Sequence, residues 1–317
     1  MNIIKTNSKN QILLDGVFNT TQNQSAGNLT GSSETIRKLS NDEIEWLAGV
    51  LDGDGNFDIR YDGPAPKERI LKQIRITQHP RDARLLYQVK KLLGGSIKSK
   101  GKKYLLWSIS TKSLMINCLN LINGHIRLKV PGFKEACVLF NINYRQANYK
   151  ILENSAYLAG LIDTDGSVVW NYTGNRIDLF LEFQQNEYSD KLDISTTIPG
   201  AHVKVYNFVK RNQTRDKIFY SKRFAYQSLD NLLPLYNYFK NHRLYNDFKF
   251  YRVMQIKRFL ELRPFCNYPV ESAEFKLYYN FALAWFTHMN LDKPLPIFFM
   301  NRNPKSTPVD DPDHIKR

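Results

Sequence analysis

The sequence is poor in residues that could staple a fold covalently or through soft metal ligands. Its only cysteines, Cys118, Cys137 and Cys266, are isolated and odd in number, and no CxxC pair occurs. A disulfide framework and a zinc ribbon are therefore excluded, and a reducing compartment is expected. The six histidines are scattered as well. No apolar run approaches the roughly 20 residues of a membrane span. Met1 to Leu14 has neither a signal-peptide core nor an Arg-rich amphipathic pattern, so a soluble protein without a membrane partner is expected. Acidic residues are the remaining shortage: 30 Asp and Glu stand against 45 Lys and Arg, a formal net charge of +15 spread along the chain. Such a balance suits an acidic polymer, nucleic acid first, with a basic structural protein as the plain alternative.

What the chain does have is a nine-residue stretch used twice, LAGVLDGDG from Leu47 to Gly55 and LAGLIDTDG from Leu158 to Gly166, with six positions identical. An internal repeat at this spacing in 317 residues implies two fused, similar halves. Residues 1–39, rich in Asn, Thr, Ser, Gln and Gly, read as a flexible leader. The first half and its linker occupy 40–149, the second half 150–263, and an appended helix with a polar tail 264–317.

Ser40 and Glu43 have the spacing of a capping box, and Ile44, Leu47, Ala48 and Leu51 form an apolar helix face that Gly53 and Gly55 are expected to break. Strands follow at Asn56–Tyr61 and Ile70–Gln78, a helix at Asp82–Leu93, a hairpin at Ser96–Lys100 and Tyr104–Ser110, and a helix at Ser113–Asn123. Phe133 to Tyr149 is expected to be helical. The same order returns after Gly166: Val168–Tyr172, Ile177–Gln185, a degenerate segment at Asp190–Ile198, Val203–Lys210 and Ile218–Gln227. Helices at Asp230–Asn241, Phe248–Leu262 and Phe275–Phe286 complete the chain.

Ala48, Gly49 and Gly53, matched by Ala159, Gly160 and Thr164, place small residues on one helix face, a spacing that lets two helix backbones approach closely. If these helices pack together, Asp54 and Asp165 come side by side at their C-terminal ends. Each carboxylate there opposes the helix dipole at a cost of roughly 0.3–1 kcal/mol, and two of them about 4 Å apart repel by about 4 kcal/mol at an effective dielectric of 20. Stability alone does not select this arrangement. A divalent cation reverses both signs, and oxygen donors without His or Cys suit Mg²⁺ held against phosphate oxygens. Asp52 and Asp163 lie about 200° round the helix and are assigned to backbone capping or supporting contacts. The plain alternative is that Asp-Gly merely marks a turn.

These two stretches, with the helix-strand-strand-helix order after each, resemble the signature of the LAGLIDADG homing endonuclease family in its monomeric, two-motif form. The resemblance covers roughly Asp42 to Leu262. It implies an α+β fold of two pseudo-symmetric αββαββα halves, with saddle-shaped antiparallel sheets on the DNA major groove and the motif helices at the central interface. It further implies a monomer that cuts both strands of a long, partly asymmetric double-stranded target across the minor groove, leaving 3′ overhangs. The metal ligands carried over are Asp54 and Asp165, with Gly53 and Thr164 beside them. Mg²⁺ is the expected ion, with Mn²⁺ substituting and Ca²⁺ binding without supporting cleavage. Gln78 and Gln185, the latter beside Gln184, match the residue that orders water. Lys129 or Arg127 in the first half and Lys249 in the second match the basic position.

The strand faces are then expected to contact bases and phosphates through Arg60, Lys72, Gln73, Arg75 and Thr77 in one half, and through Arg176, Glu182, Gln184, Lys204 and Arg211 in the other. Lys98, Lys100, Lys102 and Lys103, with Lys210, Arg215, Lys217, Lys222 and Arg223, are expected to neutralise phosphates. An organelle-encoded protein of a mitochondrion, in preference to a chloroplast, is expected. An RNA-binding maturase acting on its own intron, with or without DNA cleavage, is the competing function, and a transcription regulator on the same scaffold a third.

Overall fold

In the computed structural model the described residues are 38–288, except 65, 66, 102 and 213–216. Residues 1–37 of the expected leader, the polar tail, Lys102 and Arg215 lie outside them, as do the side chains of Lys210, Arg211 and Lys217. Ser40 starts the first helix as its spacing implies: its hydroxyl accepts from the Glu43 amide and the Glu43 carboxylate accepts from the Ser40 amide, satisfying two orphan N–H groups. Helix α1 (Asn41–Asp54) buries Leu47, Ala48, Val50 and Leu51 completely. It does not break at Gly53, as the sequence suggested, but runs on to Asp54. Gly53 serves there as a small residue, because a Cβ on it would lie 1.9 Å from the Thr164 hydroxyl oxygen.

The chain continues through β1 (Gly55–Asp62), β2 (Glu68–Gln78), a 3-10 turn at Pro80–Asp82, α2 (Ala83–Leu93), β3 (Ser96–Lys100), β4 (Tyr104–Ile109) and α3 (Lys112–Ile122). The strands form an antiparallel sheet in the order β1-β2-β4-β3. Alternation along β2 turns Ile74 and Ile76 inward and leaves Gln73, Arg75 and Thr77 on the open face. Helix α4 (Val130–Leu139) ends ten residues short of the expected Tyr149. Asn141 takes a left-handed φ of 53°, and the Ile142 amide folds back onto the Cys137 carbonyl at 2.9 Å, which closes the helix.

The second half repeats the plan: α5 (Tyr157–Asp165), β5 (Gly166–Asn171), β6 (Arg176–Gln184), α6 (Glu187–Lys191), β7 (Lys204–Asn212), β8 (Lys217–Tyr226) and α7 (Leu232–Asn241), with sheet order β5-β6-β8-β7. The expected helix over Phe248–Leu262 is two, α8 (Asp247–Met254) and α9 (Ile256–Leu262). Helix α10 (Ala273–Thr287) packs on this half, where Trp170 of β5 meets Tyr278 and Trp285 edge to face at 5.8 and 5.7 Å. The copies are not equal. Where α2 has eleven residues, α6 has five, and Val205, Val209, Ile218 and Tyr220, on the core-facing side of β7 and β8, are exposed. Among the described residues no helix is long and apolar enough to cross a membrane.

The halves meet where α1 and α5 pack backbone to backbone. A Cβ on Gly49 would lie 2.2 Å from the Tyr157 carbonyl oxygen, and one on Gly160 2.1 Å from that of Trp46. Neither obstacle is a movable side chain, so a methyl group must drive the helices apart. Gly49→Ala or Gly160→Ala is expected to destabilise the fold by on the order of 3 kcal/mol, measured as the loss of urea-unfolding free energy; an unchanged midpoint would contradict this packing.

Candidate active site

Gly55 and Gly166 end α1 and α5 in extended conformation and open the first strand of each half, so Asp54 and Asp165 sit where a helix turns into a sheet. The close approach of the helices brings these ends together. A Cβ on Gly53 would lie 3.1 Å from Asp165 Oδ2, and Lys129 and Lys249 each feel the charge of both carboxylates. Asp165 opens to a cleft of about 290 Å³ that it lines with Gly53, Lys129 and Phe183. Although Asp165 is exposed to this cleft, the protein packed around it and then the Asp54 charge push its carboxyl up to about 6. Among the described residues no donor hydrogen-bonds it.

The inner acids do different work. Asp52 is buried and accepts from the Arg127, Leu128 and Lys129 amides at 2.6, 3.0 and 2.8 Å and from the Tyr157 hydroxyl at 2.7 Å. Asp163, also buried, accepts from the Tyr245 and Asn246 amides, both at 2.8 Å, and from the Trp46 indole N–H at 2.9 Å. The segments so held carry the two basic residues. Lys129 Nζ donates to the Gly53 and Gly55 carbonyls at the end of α1, and Lys249 Nζ to those of Ile162, Asp163 and Thr164 at the end of α5, the last at 2.7 Å. Neither helix has a basic residue in its own last turn, so these ammonium groups satisfy the orphan carbonyls and offset the negative pole. Burial lowers both lysines below the ordinary range. Arg127, the other candidate in the first half, turns away: its guanidinium covers the Tyr157 ring at 4.2 Å and bonds the Asn148 and His125 carbonyls.

Gln78 donates to Asp54 Oδ2 at 2.6 Å. Gln185 does not reach the second carboxylate. It lies beyond β6, and its amide side chain donates to Asp190 at 3.1 Å. The register explains why: Gly55 pairs with Ile76 and Gly166 with Leu181, so the position two residues on is Gln78 in one half and Phe183 in the other. Thr164 is also diverted, since its hydroxyl bonds the Gly160 and Leu161 carbonyls of its own helix.

On the open faces many of the expected contact residues hold one another. Arg60, Gln73 and Arg75 converge on Asp58, whose carboxyl the Arg60 bond, above all, draws down to about 2. Lys72 pairs with Asp62, Arg176 with Asp178 at 2.8 Å and Arg223 with Glu182 at 2.7 Å. The Arg223 guanidinium also lies between Phe180 and Phe208. Lys222 is on the opposite side of its sheet, donating to the Ser189 and Asp190 carbonyls. Thr77, Lys98, Lys100, Lys103, Gln184 and Lys204 are exposed.

A hard divalent cation fits this site. Two carboxylates that repel each other, one without a donor, need positive charge. No group of three or more His, Cys, Asp and Glu gathers among the described residues, so Asp54 and Asp165 would leave further coordination to water and phosphate oxygens, as Mg²⁺ requires. Trp46, Tyr157 and Phe183 are site residues that sequence reasoning missed. The aromatic residue that immediately precedes each motif, Trp46 in one copy and Tyr157 in the other, was available as a signal, since both copies have one.

Comparison with known proteins agrees with this geometry. Residues 47–125 match the family described as LAGLIDADG endonuclease. The chain is 27% identical over 271 residues to the "Intron-encoded RNA maturase bI4" of Saccharomyces cerevisiae, covering 81% of this chain and 39% of that protein. It is 25% identical over 229 residues to the "Intron-encoded DNA endonuclease ai2a" of Dictyostelium discoideum, covering 69% and 66%. The match thus spans less than two thirds of the length of these two relatives. Among solved structures, the LAGLIDADG homing endonuclease I-GzeII in complex with its DNA target superposes with a TM-score of 0.50 at 13% identity, over 79% of this chain and 99% of that one. The fold and the paired motif helices define a two-motif LAGLIDADG architecture.

Burial pushes the Asp163 carboxyl up to about 6, against the donors around it. An unfolded Asp titrates near about 4, so between roughly pH 4 and pH 6 the folded chain holds a proton that the unfolded chain has released. The corresponding stability is complete below about pH 4 and is lost, to the extent of about 3 kcal/mol, as pH rises through about 6. Urea unfolding is expected to show this fall, with a shallower slope in Asp163→Asn; the residual slope reflects Asp165, which titrates in the same window, and Asp52, whose carboxyl burial also raises.

Proposed function

We propose that the chain is a site-specific double-strand DNA endonuclease that hydrolyses one phosphodiester in each strand across the minor groove, leaving 3′ overhangs. The observation that carries this reading is the convergence of Asp54 and Asp165 at the joined ends of α1 and α5, between two sheets whose open faces bear exposed Thr77, Lys98, Gln184 and Lys204. Mg²⁺ held by the two carboxylates would supply Lewis-acid stabilisation of the phosphate and an activated water; Mn²⁺ would substitute and Ca²⁺ would bind without cleavage. Gln78 orients the Asp54 carboxylate and presents its amide to the same space. Lys129 and Lys249 put positive charge beside both acids where the phosphate charge develops. The exposed polar and basic side chains track the DNA, a long and partly asymmetric target bound by a monomer. Both relatives are named as intron-encoded, which supports an intron-borne gene, for which a mitochondrial genome is the proposed setting.

A maturase reading is favoured by one observation, the likeness to a protein named an RNA maturase over 81% of this chain. A plasmid library of intronless organellar gene junctions, incubated with Mg²⁺ or with EDTA, separates the two. Cleavage is expected with Mg²⁺ alone, and loss of at least about 10³-fold in Asp54→Asn and Asp165→Asn. Wild-type protein that leaves every junction intact while binding its own intron RNA tightly would favour the maturase.

The two glutamines give a second test. Gln78→Ala is expected to slow one strand by about 10²-fold, whereas Gln185→Ala leaves both strand rates near wild type. Equal effects of the two substitutions would contradict the register-based assignment.

A further inference from the structure

The bonds that hold the inner aspartates cross the interface. Asp163, in the second motif, takes the indole N–H of Trp46 from α1, and Asp52, in the first, takes the hydroxyl of Tyr157 from α5. Among the described residues, every other hydrogen bond to these two carboxylates comes from backbone of the carboxylate's own half. Those backbone segments place the lysines. Asp52 binds the Lys129 amide itself, and Asp163 fixes Asn246, whose side chain caps α8 by accepting the Lys249 amide at 3.0 Å. The ring carbons alone would supply the packing, so the polar atom of each aromatic side chain has a purpose other than packing.

We propose that Trp46 and Tyr157 are crossed positioning residues, each setting the lysine of the opposite half through that half's inner aspartate. Trp46 steadies Asp163, the Tyr245–Asn246 turn and Lys249; Tyr157 steadies Asp52, the Arg127–Lys129 turn and Lys129. Neither aromatic touches the reacting phosphate. For catalysis the proposal rests on the endonuclease reading, and its consequence is that each half of the protein tunes the strand served by the other.

Tyr157→Phe keeps the ring and removes only the donor, whereas Trp46→Phe removes the indole N–H together with one of its two rings, and the indole also packs on Tyr245 at 4.8 Å, so Tyr157→Phe gives the sharper readout. Amide hydrogen exchange, which needs no activity, is the first readout. Trp46→Phe is expected to speed exchange at Tyr245 and Asn246 by roughly 5-fold and to leave 127–129 unchanged, and Tyr157→Phe to do the reverse. The second readout is strand-resolved nicking of a cleavable plasmid with Mg²⁺. The strand slowed in Lys249→Met is expected to be the one slowed about 5-fold in Trp46→Phe, and the strand slowed in Lys129→Met the one slowed in Tyr157→Phe, in kcat more than in KM. If a lysine variant fails to fold, Gln78→Ala marks the first-half strand instead. Exchange that changes in the aromatic's own half, or equal slowing of both strands, would overturn the proposal. Wild-type protein that cuts neither strand would sink the endonuclease reading, and the exchange pattern would then decide the positioning by itself.

Discussion

The constraint on which the rest of the structure depends is the contact of two helix backbones at Gly49 and Gly160. No side chain separates them, so carbonyl oxygens and Cα atoms of α1 and α5 fix the distance between the halves. Everything at the helix ends inherits that distance. Asp54 is close enough to add to the upward push on the Asp165 carboxyl because Gly53 and its neighbours leave no room for a spacer. The arrangement is unfavourable for two anions, and the lysines that approach from outside the motifs offset part of it by capping the helix poles.

Much of this was legible in the sequence because repetition is a strong signal. Two motifs with small residues at matching positions implied the helix pair, and the alternation of β2 implied one apolar and one polar face. The capping box at Ser40 fixed where α1 begins. Legibility failed where tertiary context overrides a local rule. Gly53 reads as a helix breaker, yet the partner helix needs its smallness and holds it helical. Gln185 reads as the counterpart of Gln78, but pairing register, which a single strand's sequence does not specify, puts Phe183 there instead. The open-face cations read as free DNA contacts, although Asp58, Asp178 and Glu182 pair with several of them. Those pairs can pre-organise the guanidinium groups, whose planar forks retain donors on the outer edge.

The halves have diverged in opposite directions from one plan. The first keeps the amide at Gln78, a full α2 and exposed lysines on its outer hairpin. The second replaces these with Phe183, the five-residue α6 and an aromatic hairpin around Arg223, and adds α10 over Trp170. Such differences are what the proposed, partly asymmetric target would demand of a symmetric scaffold.

The exchange of Trp46 and Tyr157 across the pseudo-twofold axis bears on how such a chain can be recombined. A cut through the linker between the halves looks like a clean modular boundary, since each half owns its sheet, its acidic end and its lysine. The hydrogen bonds run diagonally across that boundary. A chimera built from halves of two different proteins would therefore inherit donors and acceptors matched to absent partners, and the unit of exchange is each half together with the aromatic residue facing it.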